Sequence, residues 1–138
     1  MYTFKKEERL CNKKLIEQLY HNGSSFLCYP YKVSWILTTD ADNTPVKVVF
    51  SVPKKRFKNS VDRNQIKRRM REAYRLNKQD TLYNYLIAEN KSIALSLGYV
   101  AKDIIPFDVV QKKMVKLLGQ LCVEIAKWKR LWTLLRQL

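Results

Sequence analysis

The sequence predicts a two-layer α/β sandwich, a four-stranded sheet carrying helices in the order α-β-β-β-α-β-α. Three observations lead there. Apolar residues alternate in the stretches before residue 52, as they do in half-buried strands. Ile66, Met70 and Ala73 then recur at helical spacing, and a second helical pattern begins near Asp108, after one more apolar stretch at 91–100. At 138 residues the chain has material for one core rather than two.

The first helix begins after Thr3 or Asn12 and ends before Asn22-Gly23, a pair that stops helices. Leu15 and Leu19, with Ile16 and Tyr20 beside them, give it a packing face. Residues 25–29 and 31–37 are extended, with Pro30 between them. In the second piece Tyr31, Val33, Trp35 and Leu37 share one side, while Lys32, Ser34 and Thr38 lie on the other. Aromatic side chains favour strands simply because they pack well there. They also form platforms on which unpaired bases stack, and the alternation allows either use. Residues 39–45 have turn composition, so 33–37 and 46–52 are expected to pair antiparallel. Asp40 and Asp42 belong to that turn, since no further acidic ligand is near them.

Between Lys54 and Arg75 stand ten Lys or Arg against Asp62 and Glu72. Such crowding is unfavourable unless a polyanion or solvent screens it. Arg63, Lys67, Arg71 and Arg75 follow one another at i,i+4 beside the Ile66 stripe, and Asn64 and Arg68 point further away from it. Helices that serve only themselves place opposite charges at that spacing. Residues 77–80 should break or bend the chain before a short amphipathic segment at 81–88. A buried strand at 91–100 follows, and then a helix with Val110, Met114, Leu117, Leu118, Leu121 and Ile125 on its covered face. The basic, Trp- and Leu-rich residues 127–138 either extend that helix or fray, which divides the chain into a domain at 1–126 and a tail at 127–138.

A net charge of +15 points to phosphate-rich partners. Cys11, Cys28 and Cys122 are scattered and include no CxxC, which fits a reducing cytoplasm rather than a disulfide framework or zinc site. No signal peptide or membrane span is expected. His21 has no metal-ligand partner at usable spacing, and neither a P-loop nor a GxSxG motif is present. The basic helix offers no general base. The chain is therefore expected to hold RNA for a catalyst that lies elsewhere, or simply to bind it.

The run Val52-Pro53-Lys54-Lys55, followed by Ser60-Val61-Asp62-Arg63-Asn64-Gln65-Ile66-Lys67-Arg68-Arg69-Met70-Arg71-Glu72-Ala73-Tyr74-Arg75, resembles the signature of the protein component of bacterial ribonuclease P. Arg63, Asn64, Ile66, Lys67, Arg68, Arg71, Glu72 and Arg75 all match in register. Weaker matches are Phe4 with Arg9-Leu10, and Leu97-Gly98-Tyr99-Val100 leading to Phe107, so the likeness spans about residues 4 to 125. It departs at Gln65, often Arg in the family, and at Phe57, where a glycine usually follows the paired lysines.

The resemblance implies a sandwich with a left-handed βαβ crossover, which periodicity cannot show because ordinary crossovers are right-handed. It implies an accessory subunit of a ribonucleoprotein endoribonuclease, with no catalytic residue of its own. The catalytic RNA removes the 5′ leader of precursor tRNA with Mg²⁺ held mainly by RNA and substrate. Lys54, Lys55, Arg63, Asn64, Lys67, Arg68, Arg71 and Arg75 are then the RNA-binding set. Phe4, Phe26, Tyr31, Val33 and Trp35 are candidates for a leader-binding cleft between the first helix and the sheet. No protein-bound metal, small-molecule cofactor or membrane partner is expected. The alternative is a ribosomal or general RNA-binding protein of similar fold; a major-groove DNA binder and a self-sufficient nuclease fit the residues less well.

Overall fold

The computed structural model describes residues 4–38 and 44–137. The elements are α1 (Lys13–Asn22), β1 (Ser24–Cys28), β2 (Tyr31–Thr38), β3 (Val46–Ser51), α2 (Ser60–Lys78), α3 (Asn84–Glu89), β4 (Ser92–Tyr99) and α4 (Phe107–Gln137). Asn12 Oδ1 caps α1 by accepting from the Lys14 amide at 3.0 Å, and Asn59 Oδ1 does the same for α2 through the Val61 amide at 3.0 Å. After α1 the chain turns so tightly that a Cβ on Gly23 would lie 2.3 Å from the Leu19 carbonyl oxygen and 2.9 Å from that of Trp35. Only glycine fits there.

The sheet runs β1-β2-β4-β3. β1 and β4 flank β2 antiparallel, while β3 lies parallel to β4. The expected pairing of β2 with β3 does not occur, because β4 sits between them. The turn at 39–43, including Asp40 and Asp42, lies outside the described residues. Turn composition reports that the chain reverses, not that the strands on either side are neighbours. β4 is buried without interruption from Ile93 to Leu97, and a strand with both sides apolar gains most from a central place covered on both faces. β3 is left at the edge, where the N-terminal segment backs it: Arg9 bridges Val48 in parallel, and the Leu10 amide donates to the Val48 carbonyl at 2.9 Å.

One sheet face carries Tyr31, Val33, Trp35, Val46, Val48, Ile93, Leu95, Leu97 and Tyr99 into the main core, against the apolar sides of α2 and α4. On the other face Leu10, Leu19 and Ala94 pack with Leu15, Ile16, Ile36 and Val49, so α1 covers part of it. At 77–80, where a break or bend is expected, α2 ends at Lys78 but the chain stays helical. A π-helical turn at Gln79–Tyr83 joins α2 to α3, and Asn77 donates to the Ala73 carbonyl at 2.8 Å instead of capping an end. The wider turn keeps Lys78, Leu82, Tyr83 and Leu86 all directed inward. The helical run ends only at Asn90, which takes the left-handed conformation at φ 54°. At the other end of the chain, α4 runs unbroken through the tail to Gln137.

Candidate nucleic-acid interface

Ile66, Met70, Ala73 and Tyr74 bury one side of α2, as the spacing requires. The basic residues around them divide by use. Arg63 Nη1 donates to the carbonyls of Phe57 at 2.7 Å and Lys58 at 2.9 Å. Arg69 Nη1 donates to the Ile105 carbonyl at 2.6 Å, and Arg56 donates to that of Val100. Arg75 Nε donates to Glu72 at 3.1 Å, and this bond holds the Glu72 carboxyl below its usual range. These four arginines brace the protein itself. The side chains of Lys54, Lys55, Lys58, Lys67, Arg68 and Arg71 make no hydrogen bond or ion pair among the described residues. All but the half-buried Lys67 are exposed, as are Asn64 and Gln65.

Phe57 explains how the basic loop is held. Its ring is buried against Tyr99, with centroids 5.8 Å apart, and its amide donates to the Pro53 carbonyl at 3.2 Å. With Phe57 pinned inward and Arg63 gripping its carbonyl, Lys54, Lys55 and Lys58 are held outward.

Phe4 meets the β3 edge and α2 rather than Phe26 or Trp35. It packs edge-on against Phe50 and Tyr74, each 6.1 Å away between centroids. There it lines a groove of about 340 Å³ at the β3 edge, together with Arg9, Leu10, Cys11, Val48, Val49, Phe50, Lys67 and Arg71. The N-terminal segment is anchored beside this groove by a buried cluster. Glu8 accepts hydrogen bonds from Lys78 Nζ and Tyr83 Oη through one oxygen, and from the Lys5 amide at 2.6 Å through the other. The Lys78 ammonium lies 5.5 Å from the Phe4 ring centroid and 4.9 Å from that of Tyr83. Burial opposes ionisation of Glu8, but Lys78, Tyr83 and the Lys5 amide together outweigh it and leave the carboxyl below its ordinary pKa.

Of the other aromatic and apolar candidates, Tyr31 and Val33 have no exposed surface, and Trp35 retains 3%. They cannot offer a surface to a base. Tyr31 Oη donates to the Val110 carbonyl of α4 at 3.1 Å, and Trp35 meets Trp128 of α4 edge-on at 6.4 Å. Phe26, opposite Val33 in register, is half-buried against the same core. These residues form the core side of the sheet because it is the more apolar side. The accessible side was carried by their alternates. Leu27 and Lys32 are exposed neighbours in register, Ser34 pairs with Ser96, and Gly98 lies between Lys32 and Ser51. Tyr20 of α1 reaches over this face, its hydroxyl 3.1 Å from Ser96 Oγ. The polar half of the β2 alternation was the available signal for this surface.

Among the described residues no group of His, Cys, Asp and Glu is gathered that could hold a metal, and no helix is long and apolar enough to cross a membrane.

The sequence and the fold have counterparts among known proteins. A family model described as Ribonuclease P matches residues 4–121. The ribonuclease P protein component of Porphyromonas gingivalis is 36% identical over 116 residues, covering 83% of each chain. That of Chlorobaculum tepidum is 43% identical over 70 residues, 48% of this chain and 45% of its own. The solved RNase P protein of Thermotoga maritima shares the fold at a TM-score of 0.64 and 21% identity, over 82% of this chain and 96% of its own. That of Staphylococcus aureus does so at 0.60 and 25%, over 87% and 95%. With a family model matching from Phe4 to Leu121 and a relative 36% identical over 83% of each chain, the chain belongs to the ribonuclease P protein component family.

Proposed function

We propose that this protein acts in the cytoplasm as the accessory subunit of ribonuclease P, binding a catalytic RNA and the 5′ leader of precursor tRNA while the RNA performs the hydrolysis. The observation that carries this reading is the set Lys54, Lys55, Lys58, Lys67, Arg68 and Arg71, which no described carboxylate neutralises. Each can replace a condensed counterion on a phosphate, a gain that grows as salt falls. Mg²⁺ belongs to the RNA and the substrate in this scheme, and no step is assigned to it on the protein. What the chain contributes is cationic charge on a rigid helix and an exposed sheet face for unpaired nucleotides. Leu27 and Lys32 on that face, with Tyr20 at its border, take the leader-binding role in place of Tyr31, Val33 and Trp35. An apolar surface for bases beside an ammonium for the backbone suits a single strand of any sequence.

The test is cleavage of precursor tRNA at low Mg²⁺ by the matching catalytic RNA, with and without the protein, beside a protein-only control. Stimulation that requires the RNA is the expected result. Lys32→Ala should reduce stimulation for substrates with a leader several nucleotides long and leave a substrate with a one-nucleotide leader unaffected. Equal loss on both substrates would remove the leader from this face, and no stimulation by the unaltered protein would return the chain to general RNA binding.

A further inference from the structure

The groove between the N-terminal segment and α2 combines features that a merely solvated basic helix does not need. Its lining combines the apolar side chains of Phe4, Leu10, Val48, Val49 and Phe50 with the cations Lys67 and Arg71 of α2. The two cations are one helical turn apart and have no partner among the described residues. On another side the exposed Arg9 guanidinium lies 5.8 Å from the Phe4 ring centroid. Arginine presents a flat, weakly hydrated face to a base as well as a charge, and an aromatic ring beneath it holds that face in place. At about 340 Å³ the groove is at the small end of the range of roughly 300–1,000 Å³ for ligand sites. That is room for one nucleotide rather than a strand.

The groove is also built in advance. Glu8 adjoins Arg9 in the chain and is locked to Lys78 and Tyr83 in the interior, while the backbone of Arg9 and Leu10 is bridged to Val48. Ordering of this segment therefore precedes any ligand, which lowers the entropic cost of binding.

We propose that this groove is a binding site for one unstacked ribonucleotide, its base lying against the Arg9–Phe4 wall and its phosphate held by Lys67 and Arg71. The site is separate from the sheet face assigned to the leader, and it extends the RNA-binding reading given above. Two sources supply the same chemistry: a nucleotide extruded from the catalytic RNA, or one from the precursor tRNA.

The test uses the full-length protein with Arg9→Lys, which keeps the charge and removes the planar face. Binding to the matching catalytic RNA is titrated at several salt concentrations. Roughly tenfold weaker binding with an unchanged salt slope is expected, within the range for loss of one stacked base. Lys67→Ala with Arg71→Ala should instead lower the slope. Cys11 is exposed and lines the groove, so a photoreactive aryl azide attached there maps the site without altering Arg9. Crosslinks confined to one or two adjacent nucleotides support the site, and whether they fall in the catalytic RNA or in precursor tRNA identifies the source. Unchanged affinity of Arg9→Lys, or crosslinks scattered over many positions, would overturn the proposal while RNA binding itself stands. Failure of the unaltered protein to bind either RNA would overturn the underlying reading instead.

Discussion

Lys78→Met is expected to lower the unfolding free energy by about 3–5 kcal/mol at pH 7, the range for removing one member of a buried ion pair. The side chains of Lys78 and Glu8 are 3% and 5% exposed, so water cannot replace the lost ammonium. Glu8 would keep Tyr83 and the Lys5 amide as donors, but its charge would lie in an apolar pocket bordered by the rings of Phe4, Tyr74 and Tyr83. The dependence on pH gives the effect a signature. In the unaltered protein the Glu8 carboxyl lies below its ordinary pKa, so its contribution is present above the ordinary carboxylate range and is lost as pH falls through the folded-state value. In Lys78→Met, burial without the ammonium should raise that pKa, so the variant gains relative stability as the carboxyl takes up a proton. The two stability curves therefore converge on acidification. Urea unfolding at pH 7 and pH 4 measures this, and a difference under 1 kcal/mol at both would show that the pair is not a structural anchor. Adding Glu8→Leu to Lys78→Met should recover most of the loss by removing the stranded charge.

The second large effect is on binding. Replacing Lys67, Arg68 and Arg71 together by Ala should reduce the slope of log affinity against log salt by about 2 to 3, at roughly 0.7–0.9 per phosphate contact. Stability should barely move, because these side chains lack internal partners among the described residues and surface changes away from such contacts usually stay within about 0.5 kcal/mol. Arg69→Ala supplies the contrast. Its guanidinium holds the Ile105 carbonyl at 2.6 Å, so its loss should cost roughly 1–3 kcal/mol of stability and lower the salt slope less than removal of Arg68. Filter-binding titrations from low to high salt, with urea unfolding of each variant, read both quantities. An unchanged slope in the triple variant would exclude this side of α2 from phosphate contact.

That contrast marks a limit of the sequence. Arg68 and Arg69 are adjacent and chemically identical, and the helical period turns Arg68 away from the Ile66 stripe while leaving Arg69 at its border. That Arg69 finds a carbonyl there is decided by the position of the segment before α4, which places Ile105 within its reach, whereas Arg68 has no side-chain partner among the described residues. Arg63 and Arg75 show the same thing. Both match the family motif, yet one grips the loop before α2 and the other pairs with Glu72.

The strands show the converse. The alternation of Tyr31, Val33, Trp35 and Leu37 was plain, and so was the polar set Lys32 and Ser34. Aromatic character suggested ligand contact, but in a two-layer sandwich the larger apolar set is drawn to the side that two helices cover. The polar alternates are left on the more open face. Phe4 fell outside any periodic pattern, and its proximity to Lys67 and Arg71 depends on a salt bridge between residues 8 and 78.

The sequence by itself determined the α/β class, the order of the major elements, the buried stripe of α2, the basic character of its outer side and the family likeness. All of these depend on local period, local charge or residues in one continuous register. The tertiary structure decided that β4 would separate β2 from β3, which arginines would brace carbonyls, which sheet face would stay open, and that Phe4 would meet α2 at a groove. These outcomes depend on contacts between segments distant in the chain, where packing of the most apolar surfaces sets the neighbours and the remaining polar groups adjust to them.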